Sequence, residues 1–240
     1  MKTMLQVMFS VLFFLNVGPV WAQPFQLDEY LCYQVDPQRV GARVELFGQF
    51  DHDWQPVYVY EFYRFCNPAE VNGDPINDKF AHLSWYHFDP MGDPEPKRRV
   101  VVQNKFGTFD LTIGESFWLL VPTEKIEPGS EFPHRLDHYK VYEVLQGERV
   151  NKDVFIRDQF TSEGNVAMRP RYFAVPVEKL HDDKHFPINN PKDHIVFYDK
   201  DPITRNFYRP TVDQFGRKPM KTRVSELLGC ASAKLFWEAY

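Results

Sequence analysis

The sequence lacks every short motif that would announce a chemistry. There is no Cys-x-x-Cys, His-Glu-x-x-His, Gly-x-Ser-x-Gly, P-loop or Gly-x-Gly-x-x-Gly, and no Asn-x-Ser/Thr sequon. Glycine is modest at 12 of 240 residues and cysteine is limited to three. Positive charge is not in excess: the formal net charge is −5, which argues against a nucleic-acid binder. No window sustains a 3.6-residue apolar period, which argues against long amphipathic helices. With 43% apolar and 25% charged residues the chain is globular, excluding a disordered tail, a collagen-like chain and a multi-span membrane protein.

Aromatics and proline are abundant instead: 22 Phe, 12 Tyr, 5 Trp and 19 Pro. That mix suits strands separated by Pro-marked turns. The start of the chain has a separate character. Lys2 precedes the apolar run Val7–Leu15, and Val20-Trp21-Ala22 places small residues at −3 and −1 of a cut after Ala22. This pattern predicts a signal peptide over residues 1–22, hence export to the periplasm or the extracellular space. The apolar run is shorter than the ~20 residues of a spanning helix, and no later segment could serve, so no membrane span is expected after cleavage.

Beyond residue 22 the chain repeats. Gln49-Phe50, Gln159-Phe160 and Gln214-Phe215-Gly216 share a dipeptide, and Asn104-Lys105-Phe106-Gly107 is a variant of it. Phe50, Phe106, Phe160 and Phe215 follow one another at spacings of 56, 54 and 55 residues. Upstream, Glu29, His82, His138 and His194 open aromatic-rich strands. Downstream, closing strands end on Lys125, Lys179 and Lys234, each 19 residues after its phenylalanine; the first unit has lost the lysine. Leu27-Asp28 matches Leu136-Asp137, and Pro75-Ile76-Asn77 matches Pro187-Ile188-Asn189, so the order is a duplication of a duplication.

Phe109–Ile113 alternates with period two, and Phe117–Val121 is continuously apolar, as strands half-buried and fully buried would be. The predicted fold is all-β: four units of about 55 residues in tandem, each of about four short strands, with turns at Gly107, Gly114 and Gly164. The Pro-Gly-Ser connector 126–134 divides a first β domain (23–130) from a second (131–240), each a small barrel or sandwich. The four phenylalanines are expected to be buried, equivalent core positions.

The cysteines fit this register. Where the first unit has Cys32 in its opening strand and Cys66 in its closing strand, the others carry Trp85, Val141 and Phe197, and Leu120, Ala174 or Val175, and Cys230. Two core positions in contact predict a Cys32–Cys66 disulfide in an oxidising compartment, against the alternative of two buried thiols. Cys230 is left as a buried thiol or an intermolecular partner.

The His-Leu-x-x-Tyr opening, Gln-Phe-Gly centre and Leu-Val-Pro-x-x-Lys close together resemble an uncharacterised repeat domain, a domain-of-unknown-function family, of secreted bacterial and archaeal proteins. Units of that family often carry one cysteine in the opening and one in the closing strand, which matches Cys32 and Cys66. The resemblance covers nearly all of residues 27–235 and implies no activity.

Chemistry-bearing candidates are few. His181, Asp182, Asp183 and His185 form the densest group of metal-ligand types, but Lys184 in its middle would repel a cation. Asp51-His52-Asp53 is a weaker version. His82, His138 and His194, two of them preceded by Asp, could be read as Asp-His dyads, yet a group that recurs in each unit reads as a structural hydrogen bond. The recurring glutamines are expected to satisfy turn backbone groups, and the recurring lysines to be solvated. Trp54, Trp85, Trp118 and Trp237 default to core; exposed, they would stack on a sugar or grip a protein. No catalytic residue and no cofactor is assigned. The expected function is a non-enzymatic exported protein with a binding or structural role at the cell envelope, its partner an envelope protein or a carbohydrate. The alternative is a periplasmic hydrolase or metal-binding protein using His181–His185.

Overall fold

A computed structural model describes residues 26–240. Residues 1–22, read from the sequence as a signal peptide, lie outside them. Among the described residues every regular element is a strand: β1 (Glu29–Gly48), β2 (Gln55–Val71), β3 (His82–Pro90), β4 (Arg98–Asn104), β5 (Gly107–Lys125), β6 (His138–Gln146), β7 (Lys152–Arg157), β8 (Ser162–Ala167), β9 (Pro170–His181), β10 (Lys184–Phe186), β11 (His194–Thr204), β12 (Tyr208–Asp213) and β13 (Gly216–Ala239). The thirteen strands form one antiparallel sheet.

Eight of them pair in a closed circuit. β1 pairs β2, β2 pairs β3, β3 pairs β5, β5 pairs β6, β6 pairs β9, β9 pairs β11, β11 pairs β13, and β13 returns to β1. One buried cluster draws on all eight: Tyr30, Cys32, Cys66, Leu83, Trp85, Leu120, Tyr139, Val141, Tyr172, Ala174, Ile195, Phe197 and Leu227. A cluster shared by every strand of a closed circuit is its interior. Residues that alternate with these, such as Leu31, Tyr33, Val196 and Tyr198, face outward. They are covered by four β arms: the far ends of β1 and β2, β4 with the start of β5, β7 with β8, and β12 with the start of β13. Burial on both faces is why circuit strands such as β3, β6 and β11 begin with five consecutive buried residues.

Each arm crosses the molecule. β1 at Glu45–Gly48 pairs β9, β4 pairs the end of β13, β7 pairs the end of β2, and β12 pairs the end of β5. Every arm thus lands on a strand of the other half of the chain. All three buried clusters also mix residues from before and after residue 130. The sheet and the core continue across the connector. Strands are fewer and longer than the four short ones per unit read from the sequence, because β1, β2, β5 and β13 bend at bulges and serve both circuit and arm. Gly107 opens β5 just after the Lys105-Phe106 turn, at φ 137°, where glycine is favoured, whereas Gly114 and Gly164 lie inside strands.

Cys32 and Cys66 face each other across β1 and β2 and form a disulfide. The equivalent rungs are Trp85–Leu120, Val141–Ala174 and Phe197–Gly229. The residue in phase with Cys66 is therefore Gly229 and not Cys230. A one-residue step reverses the side of the sheet, so Cys230 points outward, buried and free, into the cluster with Val196 and Tyr198.

Candidate functional site

The recurring polar residues meet one another. At one end of the circuit, His194 of β11 accepts the Gln49 amide at 2.6 Å on Nε2, while its Nδ1 donates to the Lys192 carbonyl at 2.9 Å. Beside it, Lys234 lies over the Phe50 ring at 5.2 Å. His138 takes the Gln214 amide in the same way, and Lys179 lies over Phe215 at 5.0 Å. At the third such junction, Lys125 lies over Phe160 at 5.0 Å, and Gln159 donates to the Lys79 carbonyl, three residues before His82. Each phenylalanine then packs edge-on against a tyrosine of an outward-facing circuit position: Phe50 on Tyr142, Phe106 on Tyr198, Phe160 on Tyr33 and Phe215 on Tyr86. Phe50 is buried; Phe106, Phe160 and Phe215 are half-buried rather than buried, because they sit at the arm tips.

These junctions are largely shielded from solvent. Lys125 and Lys179 are buried and Lys234 is half-buried, so the expectation of solvated lysines fails; rings cover the ammonium groups. Burial lowers the Lys179 amine to about 7 and that of Lys234 to about 8. Burial, with the neighbouring lysine's charge, holds His82 and His138 well below the usual imidazole range; His194 is pushed down to about 4 by burial. His138 and His194 are neutral hydrogen-bonding spacers, while His82 packs on Phe65 with its Nδ1 unpartnered. Asp28 and Asp137 do equivalent structural work: Asp28 accepts the backbone N–H groups of Asn77 and Asp78 at 2.6 and 2.9 Å, and Asp137 those of Asn189 and Asn190, both at 2.7 Å.

The His181–His185 segment is the β9–β10 hairpin. Its turn residues Asp182 and Asp183 take positive φ, His181 approaches Asp182 at 3.6 Å, and His185 meets Glu178 at 2.7 Å. Among the described residues no three His, Cys, Asp or Glu side chains gather as metal ligands would. Asp51 is held by Lys140 at 2.8 Å, while His52 and Asp53 are exposed. Trp85 is fully buried, Trp54 and Trp118 are half-buried, and Trp237 is exposed but packs on Phe50.

The opposite end of the circuit is different. Its last interior layer takes one residue from each closing strand: Arg64, Trp118, Tyr172 and Leu227, each two positions before the rung residues Cys66, Leu120, Ala174 and Gly229. Three are apolar or aromatic and one is a buried arginine. The Arg64 guanidinium stacks among Tyr63, Trp85 and Tyr172 at 4.2, 5.2 and 5.8 Å. Its Nε is paired with Glu226, which also takes the Gln34 amide. Nη1 has no partner, and Nη2 reaches only the Tyr63 hydroxyl at 3.5 Å. The indole N–H groups of Trp85 and Trp118 are also unpartnered. His87, Tyr60 and Tyr63 extend the aromatic rim. A cleft of about 280 Å³ opens here, walled by Arg64, Arg171, Tyr172, Lys200, Glu226 and Leu227. Sequence reading passed over Arg64, yet the signal was present: with the rung register fixed, it is the charged member of an otherwise uncharged column.

A family model for DUF7450, a repeat of unknown function, matches residues 82–231, from the opening histidine of the second unit to the closing strand of the fourth. No curated protein and no solved structure matches the chain. With more than half of its length matched, the chain belongs to the DUF7450 family of repeats of unknown function.

Proposed function

We propose that the protein is an exported, non-enzymatic binding protein of the cell envelope, and that four duplicated units of about 55 residues build a closed barrel whose Arg64 end receives the ligand. One observation carries the binding reading. At two junctions the shared histidine and glutamine bond each other and the shared lysines lie against rings, though Lys179 Nζ, His82 Nδ1 and Gln214 Oε1 are left without hydrogen bonds; Arg64 is set apart as an unshared cation with an unpartnered Nη1 that lines a cleft. Repetition serves the scaffold, and ligand recognition is left to what departs from it. The n to n+2 reach of the arms, repeated at Phe50, Phe106, Phe160 and Phe215, supports the four-unit reading. The Cys32–Cys66 disulfide is compatible with export.

Two measurements test this. Protein recovered after export should begin at Gln23 by intact mass; retention of residues 1–22 would end the export reading. Full-length mature protein should show saturable change in tryptophan fluorescence with soluble envelope fractions, because Trp85 and Trp118 both contact Tyr172 at the cleft wall. No response to any fraction would end the binding reading.

A further inference from the structure

We infer that the cleft beside Arg64 takes a carboxylate borne on a single ring, with the carboxylate against the Arg64 and Arg171 guanidinium groups and the ring on Tyr172 and Leu227. The inference rests on the binding reading above and names its ligand class.

Arg64 is the starting point. A cation placed in the interior layer of a β circuit is costly unless it is paired and hydrogen-bonded. Glu226 takes Nε and leaves the Nη1–Nη2 edge without a good acceptor. That edge presents parallel donors, the geometry that a carboxylate matches in a bidentate pair. Arg171, half-exposed on the next wall, approaches Asp199 at 3.7 Å and lies over the Tyr172 ring at 5.6 Å, with Glu143 also near. Lys200 adds charge but no donor, since its ammonium is taken by Glu163 at 2.8 Å, the Asp201 carbonyl and Ser225. Asp199 and Glu226 face the same space, and each is engaged by arginine, Asp199 by Arg169 at 2.6 Å. With Lys200 offset by Glu163 and Asp199 by Arg169, the lining leaves Arg64 and Arg171 against Glu226, favouring an anion of one charge.

Size and lining set the rest of the ligand. About 280 Å³ is at the small end for ligand sites and suits one ring with its carboxylate. Tyr172, Leu227, Met168 and Pro202 offer a face for that ring. A uronic acid and an aryl acid share this chemistry, one from an acidic polysaccharide and one from a small aromatic metabolite.

The test is tryptophan-fluorescence titration of the mature protein with galacturonate and phenylacetate, each against its neutral counterpart, galactose and phenylacetamide. Either acid should bind at least about tenfold more tightly than its neutral counterpart, and the tighter acid identifies the source. Arg64→Gln should weaken the better acid by about tenfold or more. Because Arg64→Gln also unpairs Glu226 and could fail to fold, Arg171→Gln, at a half-exposed site, serves as the second variant and should weaken the acid by about threefold or more. Equal binding of acid and neutral counterpart, unchanged binding in Arg171→Gln, or no saturation by either acid up to about 10 mM overturns the inference. If the acids fail while an envelope fraction still gives a saturable signal, the ligand class is wrong and the binding reading stands.

Discussion

Gly229 is the most exacting position in the interior, and replacing it with alanine tests how the circuit is filled. Its backbone is not in the left-handed region, so alanine is conformationally allowed. The difficulty is space. A Cβ there would lie 2.7 Å from Cε1 and 3.0 Å from Cδ1 of Phe197, and 3.1 Å from Cβ of Tyr30. Phe197 cannot swing away freely, because Trp85 packs edge-on against it at 4.7 Å. Forcing a methyl into a filled core costs about 1–3 kcal/mol. Lower unfolded-state entropy returns about 0.4–1 kcal/mol, so Gly229→Ala should destabilise by about 1–2 kcal/mol in urea unfolding. The chain contains the remedy, since the equivalent rung pairs Val141 with Ala174. Phe197→Val alone leaves a void and should cost about 2–4 kcal/mol. The double variant copies the Val141–Ala174 rung and should be more stable than the sum of the two changes by about 1 kcal/mol or more. Additivity to within about 0.5 kcal/mol would refute the idea that the rungs are filled by complementary size.

Further outcomes follow from the same interior. Replacing Cys32 with Val and Cys66 with Ala, again copying the Val141–Ala174 rung, should cost about 3–4 kcal/mol through lost loop closure; Cys230, buried and free, should stay unlabelled by maleimide until denaturant is added, and labelling in the native state would contradict its placement. The junction histidines have depressed pKa values in the fold, so their contribution is intact above about pH 6.5 and lost as pH falls through the folded values. For His194, at about 4, the loss is on the order of 3 kcal/mol, and His194→Gln should flatten stability between pH 6.5 and 4; an unchanged slope would refute it. Lys179, lowered to about 7, binds fewer protons folded than unfolded at alkaline pH, so stability should rise from pH 7 to 10, and Lys179→Met should remove that rise and be no less stable at pH 7.

Much of the scaffold was legible because the repeat is written in residues with one structural job. The phenylalanine spacing located the arm tips, and the Asp28/Asp137 and Asn77/Asn189 matches located a hydrogen-bonded brace that the structure builds twice. What failed to show was where each arm goes. Sequence phase orders the units along the chain, but the landing of Phe50 on Tyr142 or Phe106 on Tyr198 is a property of circuit geometry that no local pattern encodes. The lysines misled for a related reason: a Lys at the end of an apolar strand reads as solvated unless the ring that will cover it, a unit away, is known. Cys230 was misplaced by one residue, since a strand buried on both faces loses the alternation that fixes its register. The Asx turns that shape three arm tips were visible and overlooked: Asn104, Asp158 and Asp213 each stand two residues before the phenylalanine and accept its backbone N–H at 3.0, 2.8 and 2.8 Å.

The junction that breaks the pattern supports the proposed reading of four equivalent units. At the first unit no histidine opens the strand and no lysine closes it; Glu29 and Val71 stand there, and the arm that arrives carries Lys105 where the others carry glutamine. Lys105 approaches Glu29 at 3.7 Å and Asp74 at 2.7 Å, and donates to the Val71 carbonyl at 3.0 Å. The neutral His–Gln bond has become an acid–base pair, and the cation has moved from the end of the closing strand to the tip of the arriving arm. Burial raises the Glu29 carboxyl to about 7 even with Lys105 beside it, so the acid is tolerable there only because the lysine came with it. Each change fits poorly alone: Glu29 opposite a glutamine would keep the Ala231 N–H at 3.0 Å but lose its counter-charge, and Lys105 opposite a histidine would put a second cation beside a group already driven neutral by one. Substitutions this far apart in sequence make sense together only if the arm of the second unit meets the opening strand of the first, as the arms carrying Gln49 and Gln214 meet His194 and His138.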